Sequence, residues 1–165
     1  AEWPDAAKLA ALQELMTASG SRGMCGGQQL DMEAGGKALS LADLQNVHAL
    51  KTGALIKAAI RLPAIVAGAD GDARVALDAF ADDLGLAFQI QDDILDVEAS
   101  TAQLGKSAGK DAAQAKATYP GLLGLDGAKA LLADLAERLP GHLAGFGDRA
   151  DALKSLAEFV VSRGH

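Results

Sequence analysis

The sequence predicts an all-helical protein, a helical bundle, on three observations. Half of its 165 residues are apolar, yet aromatic side chains make up only 4%, and the apolar mass is mostly Ala and Leu, both strong helix formers. Apolar residues recur at three- and four-residue spacing through most of the chain. No stretch alternates apolar and polar residues as a half-buried strand does, so helices must find their cover in other helices.

Pro4 stands where a first helical turn tolerates it, and Leu9, Leu12, Leu15 and Met16 follow at helical spacing, which predicts a helix over residues 6–18. The stretch "SGSRGMCGGQQLDMEAGG" is Gly-rich at both ends and reads as a break with a short polar and apolar stretch inside. Ser40 is placed to cap a helix beginning at Leu41, with Asp43 reinforcing the cap three residues on. That helix runs through "LADLQNVHALKTGALIKAAIRL", has Pro63 near its end and stops at "AGADGDA". A long helix is predicted over residues 73–97, with Leu77, Phe80, Leu84, Phe88 and Leu95 on its apolar side. "EASTAQLGKSAGKD" reads as a polar loop. Two helical pieces follow, broken at Pro120 and around Gly124 to Gly127, and a last helix covers residues 148–162. No repeat or low-complexity linker interrupts the series, so the chain is a single unit.

A net charge of −7 and the absence of a basic stripe exclude a general nucleic-acid surface. No apolar run approaches the roughly 18 to 20 residues of a membrane span. One cysteine, Cys25, cannot form an internal disulfide and points to a reducing compartment, the cytoplasm. Cys25 itself reads as a small buried residue. His48, His142 and His165 share no metal spacing and read as structural or surface residues, and Arg163 reads as a surface arginine, with a contact from the C-terminal tail to a substrate phosphate as the alternative. The opening "AEWPDAAKLAALQELM", without an initiator Met, reads as part of a longer chain.

The long helix carries the chemistry. From Leu84 to Leu104 there are four acids, Asp92, Asp93, Asp96 and Glu98, and no Lys or Arg; Lys106, Lys110 and Lys116 then follow in quick succession. Gln89, Asp92 and Asp96 share one helix face, with Asp93 about 100° round from Asp92. The Cβ atoms of Asp92 and Asp96 are expected about 6 Å apart, close enough to serve one divalent cation or two neighbouring ones. An arbitrary acidic helix face is most often simply solvated. Here the acids crowd together near the predicted helix C-terminus, where the macrodipole disfavours them. Their neighbours Ile90, Ile94, Leu95 and Val97 are those of a buried helix. A calcium loop of the EF-hand type does not fit, because it needs alternating oxygen ligands and a Gly on a turn. Carboxylates on a rigid helix suit magnesium that keeps waters and shares phosphate oxygens, with the following lysines contacting phosphate. Thr52-Gly53 in mid-helix points to a bend or a close backbone approach.

In these residues the sequence resembles the trans-prenyl diphosphate synthase family. "GLAFQIQDDILDV" is similar to the family's second aspartate-rich motif. "GGQQLDM", "HALKTGALI" and "LGKSAGKDAAQAKATYP" are similar, in order, to its GQxxD, KTG and GKxxGxD segments. The likeness is nearest the bacterial short-chain branch that makes farnesyl diphosphate. It implies the isoprenoid synthase helical fold and a magnesium-dependent condensation of isopentenyl diphosphate with an allylic diphosphate, dimethylallyl or geranyl. It implies Asp92, Asp93 and Asp96 as magnesium ligands, direct or through water. Lys51, Lys106 and Lys116 are implied as contacts to the allylic diphosphate, Thr52 and Gln89 as polar groups near the developing cation, and Gln28 and Asp31 as residues lining the same pocket. Family members are homodimers, which implies a second copy as partner.

The family's first aspartate-rich motif and its arginine pair have no counterpart. The only other acidic doublet, Asp82-Asp83, is followed by Leu-Gly. The chain therefore reads as the C-terminal portion, residues 1–165, of a single synthase domain whose N-terminal half is absent, and by itself as inactive. A terpene cyclase or squalene-synthase-like protein of the same fold is disfavoured by Lys51-Thr52 and Gly105-Lys106. A geranylgeranyl-forming synthase and a non-catalytic helical partner stand as alternatives.

Overall fold

A computed structural model describes residues 2–69, 71–103 and 117–164. Its elements, in order, are α1 (Asp5–Ser19), α2 (Met24–Glu33), α3 (Leu41–His48), a π-helical turn (Ala49–Gly53), α4 (Ala54–Val66), α5 (Gly71–Gln103), α6 (Tyr119–His142), a 3-10 segment (Ala144–Ala150) and α7 (Asp151–Ser162). The described residues contain no strand.

Helix α5, 33 residues long, is the axis on which the other elements are placed. Phe80, Ala81, Leu84, Ala87, Ile90 and Ile94 bury one of its faces. Helix α6 answers with Ala128, Leu132, Leu135 and Leu139, all buried, at alternating spacings of four and three. That spacing keeps one seam of an α-helix facing its neighbour. Ala157 and Val160 of α7 and Leu44 of α3 complete the same core.

The other flank of α5 is held by charge. Lys57 of α4 reaches Asp82 at 2.6 Å. One turn further along, Arg61 makes a two-pronged contact with Asp78, both bonds 2.6 Å. Arg61 also reaches Glu14 of α1 at 3.1 Å, so one guanidinium joins three helices. A paired planar fork of this kind is among the stronger ionic contacts available to a protein. It holds Asp78 below the usual carboxylate range.

The helix boundaries differ from the sequence expectation in ways with physical causes. The Gly-rich stretch after α1 contains a helix, α2, because its glycines allow backbone contact that outweighs their poor propensity. A Cβ on Gly27 would lie 2.2 Å from the backbone N of Lys51. α5 does not stop at Val97 but continues to Gln103, and Glu98 is tied to Lys129 of α6 at 2.7 Å. Pro120 starts a helix instead of breaking one: Thr118 caps α6, its side chain accepting from the N–H of Gly121, and Pro120 occupies the first turn. The break falls at Gly124, whose φ of 75° is open to glycine and strained for other residues. The last helix begins at Asp151, after the 3-10 segment, rather than at residue 148. The Ser40 cap forms as expected, reciprocally with Asp43. In α1 the predicted stripe of Leu9, Leu12, Leu15 and Met16 is exposed, while Ala18 is buried.

Gly27→Ala forces a methyl group into the Lys51 backbone and is expected to cost about 2 to 3 kcal/mol of stability. Gly141→Ala, in open space on α6, is expected to be neutral or to gain up to about 1 kcal/mol. Equilibrium urea denaturation of the two variants checks the contrast; equal effects would contradict the close approach.

Candidate functional site

The candidate site is built from the upper half of α5, the π-helical turn, α2 and the C-terminal tail. Thr52-Gly53 falls in the π-helical turn Ala49–Gly53, a geometry that inserts an extra residue into the helical repeat and re-aims the side chains around it. Gly53 lies against Gly85 of α5, its Cα 3.2 Å from where a Gly85 Cβ would be. The bend and close approach expected at these residues are both present. Gln89 is one turn above Gly85, and Asp92 and Asp96 continue the same stripe.

The structure brings Lys51 and Asp31 together. The Lys51 Nζ donates to Asp31 Oδ2 at 2.7 Å, with both side chains partly buried. The close seating of Gly27 on Lys51 makes this pair possible, so the "GGQQLDM" and "HALKTGALI" segments form one unit. Gln28, in the same turn of α2, and Thr52 are both half-buried.

The three aspartates have three different surroundings. Asp96 is exposed and, among the described residues, has no ion-pair partner. Asp93 turns towards α6 and accepts the backbone N–H of Tyr119 at 2.9 Å. Burial pushes its carboxyl up to about 6, the Tyr119 N–H opposes that rise, and the charges of Asp96 and Asp92 add to it. Asp92 pairs with Arg163, whose guanidinium also donates to the carbonyl of Phe88 at 3.2 Å and stacks on the Phe88 ring at 4.1 Å.

Four sequence expectations are corrected here. The acids are neither at the end of the helix nor wholly uncompensated. Because α5 runs at least to Gln103, Asp96 lies about two turns or more inside the helix, beyond the reach of the terminal dipole. Compensation comes through tertiary contacts, from Arg163 and the Tyr119 N–H, which helical spacing along α5 cannot reveal. Arg163 is accordingly a mostly buried residue rather than a surface arginine. Cys25 is exposed rather than buried, since it sits on the outer side of α2 from Gly27. Asp82 and Asp83 are structural: Asp83 takes Arg138 at 2.7 Å and His142 Nε2 at 2.8 Å. His48 stacks obliquely on the buried Tyr119 ring, centroids 5.6 Å apart. Lys106, Lys116 and His165 lie outside the described residues.

Among the described residues no group of three or more His, Cys, Asp or Glu side chains is placed to hold a metal by itself. The donor set at hand is two hard carboxylates one turn apart, Asp92 and Asp96, on a side of α5 that is open to solvent. This fits magnesium, which favours a few carboxylates supplemented by water and phosphate oxygens over a closed protein cage.

A family model for polyprenyl synthetase matches residues 6–143. The chain belongs to the polyprenyl synthetase family. Farnesyl diphosphate synthase of Escherichia coli (strain K12) is 45% identical over 166 residues, covering 98% of this chain and 56% of that protein. An FPP/GFPP synthase from Zymomonas mobilis superimposes with a TM-score of 0.83 at 36% identity, over 96% of this chain and 52% of that one. A geranyltransferase from Helicobacter pylori, complexed with magnesium and isoprenyl diphosphate, does so with a TM-score of 0.75 at 26% identity, over 96% and 52%. The all-helical fold is thus that of the isoprenoid synthases, as the family resemblance implies. The chain spans about half the length of the curated relatives it matches.

A carboxyl whose folded value lies above its ordinary one binds more protons folded than unfolded, so its contribution to stability falls as pH rises from 3.8 towards about 6. Asp93→Asn removes that decline and keeps an acceptor for Tyr119. With chelator present, the variant is expected to resist urea better than wild type at about pH 7.5 and to converge with it near about pH 4. A lower midpoint for the variant at the higher pH would contradict the assignment of burial as the cause.

Proposed function

We propose that this chain is the C-terminal portion of a magnesium-dependent prenyltransferase. The enzyme would join isopentenyl diphosphate to dimethylallyl or geranyl diphosphate and make farnesyl diphosphate. The observation that carries this reading is the solvent-open pair Asp92 and Asp96 on a rigid helix that also packs, at Gly85 about two turns before Asp92, against the π-helical turn that carries Lys51 and Thr52. The relatives' names support the farnesyl product, and the magnesium and isoprenyl diphosphate held by the Helicobacter pylori protein support the ligand class.

In this reading Asp92 and Asp96 would hold magnesium directly, and Asp93, turned towards α6, would act through water. Magnesium held there would supply positive charge against the diphosphate leaving group. Lys51 supplies a further positive charge to the same diphosphate, together with Lys106 and Lys116. Asp31 fixes the direction of the Lys51 ammonium, which limits the side-chain freedom lost on binding. Gln28 lines the same pocket. Thr52 and Gln89 present oxygen dipoles towards the allylic carbocation, where fixed dipoles in a dry site are worth most. The double bond of isopentenyl diphosphate attacks that cation, and the proton lost in the last step goes to the departing diphosphate.

The working protein is a homodimer of the cytoplasm. No helix among the described residues is long and apolar enough to cross a membrane, and the second copy is what the family resemblance implies.

Magnesium-dependent condensation of isopentenyl and geranyl diphosphates by the full-length protein, wild type against Asp92→Ala, tests the proposal. Loss of roughly 100-fold or more in turnover with helicity retained is expected. Unchanged turnover would remove Asp92 from the site. An inactive wild type would favour a non-catalytic partner.

A further inference from the structure

Arg163 has no role in the reaction as set out above, yet it is the most elaborately held residue of the tail. Helix α7 ends at Ser162, and Arg163 follows with an extended ψ of 137°, which breaks the helical course. Its N–H still reaches the carbonyl of Phe159 at 2.9 Å. Its own carbonyl accepts from Gln91 Nε2 at 2.7 Å. Gln91 is only 7% exposed. The tail backbone is therefore pinned to α5 next to Asp92, and the guanidinium lies on the Phe88 ring with one nitrogen on the Asp92 carboxylate.

The arrangement is incomplete on both sides. The Arg163 Nε is buried and has no hydrogen-bond partner, a cost that a permanent structural pair would be expected to relieve. The Asp92 side chain remains 45% exposed while that of Arg163 is 17% exposed, so a small cation can approach the carboxylate from solvent with the arginine still in place. Two positive groups cannot share one carboxylate without weakening each other's hold.

We propose that Arg163 is a built-in counter-cation for Asp92, a tail latch that holds the aspartate stripe in the metal-free state and yields when a divalent cation binds. The inference rests on Asp92 as a metal ligand. Coupling of this kind is reciprocal: the cation loosens the tail to the same degree that the seated tail weakens the cation. Arg163 is thus a positioning residue, setting the metal demand of the site and linking its occupancy to the order of the C-terminus.

The test measures Mn2+ binding to this chain by water-proton relaxation, for wild type, Arg163→Met, Arg163→Lys and Asp92→Asn. Met retains an adaptable contact with Phe88 without charge. It is expected to tighten Mn2+ binding roughly fivefold or more, while Lys remains near wild type and Asp92→Asn loses most of the affinity. Hydrogen exchange of the C-terminal peptide in wild type, which needs no variant to fold, is expected to speed up when Mn2+ is added. Equal or weaker binding by Arg163→Met, or exchange that is unchanged or slower with Mn2+, overturns the latch and leaves the metal site standing if Asp92→Asn still loses affinity. If Asp92→Asn binds Mn2+ as wild type does, the metal reading falls and the latch falls with it.

Discussion

Three carboxylates crowded onto one helix repel one another, and the ways in which that repulsion is met organise this end of the molecule. Asp93 is answered by the first backbone N–H of α6, so the repulsion is eased by the same bond that fixes where α6 begins. Asp92 is answered by the arginine that ends α7. The two helices that cover the apolar face of α5 are therefore also pinned beside its acidic stripe. Asp96 is left open to solvent, and this makes the stripe an incomplete site rather than a finished ion network.

Placing the opposite wall of the site depends on small residues instead of charge. Gly27 and Gly85 let α2 and α5 come into near contact with the backbone around Lys51 and Gly53. Backbone contact at that distance leaves little rotational slack, so the π-helical turn has a fixed orientation relative to the aspartates. The Lys51–Asp31 pair then holds an ammonium in a chosen direction. On the lower half of α5, Lys57 and Arg61 bind Asp82 and Asp78 a turn apart, which sets the register of α4 against α5 and carries the turn with it.

Much of this was legible in the sequence because it is local. The composition, the Ser40 cap, the α5 period and the face shared by Gln89, Asp92 and Asp96 follow from spacing along one helix. What escaped was the result of contacts between distant segments. A Gly-rich stretch looks like a break until Gly27 is seen against Lys51. Arg163 looks like a surface residue until the end of α7 is folded back onto α5, and no periodicity within α7 points to Asp92. The continuation of α5 past Val97 to at least Gln103 takes the acids away from the terminal dipole, and Asp92 and Asp93 have tertiary partners. The case for a metal now stands on the openness of Asp92 and Asp96 and on the family to which the chain belongs.

The central claim is that these two carboxylates on α5 hold the divalent cation. The most direct measurement is anomalous diffraction from crystals grown with Mn2+. The account predicts a peak within direct ligand distance of Asp92 and Asp96, about 2.0 to 2.3 Å from their oxygens, with Asp93 still on the Tyr119 N–H. A saturating Mn2+ soak that leaves those carboxylates bare, or that places the ion away from the stripe, would contradict it.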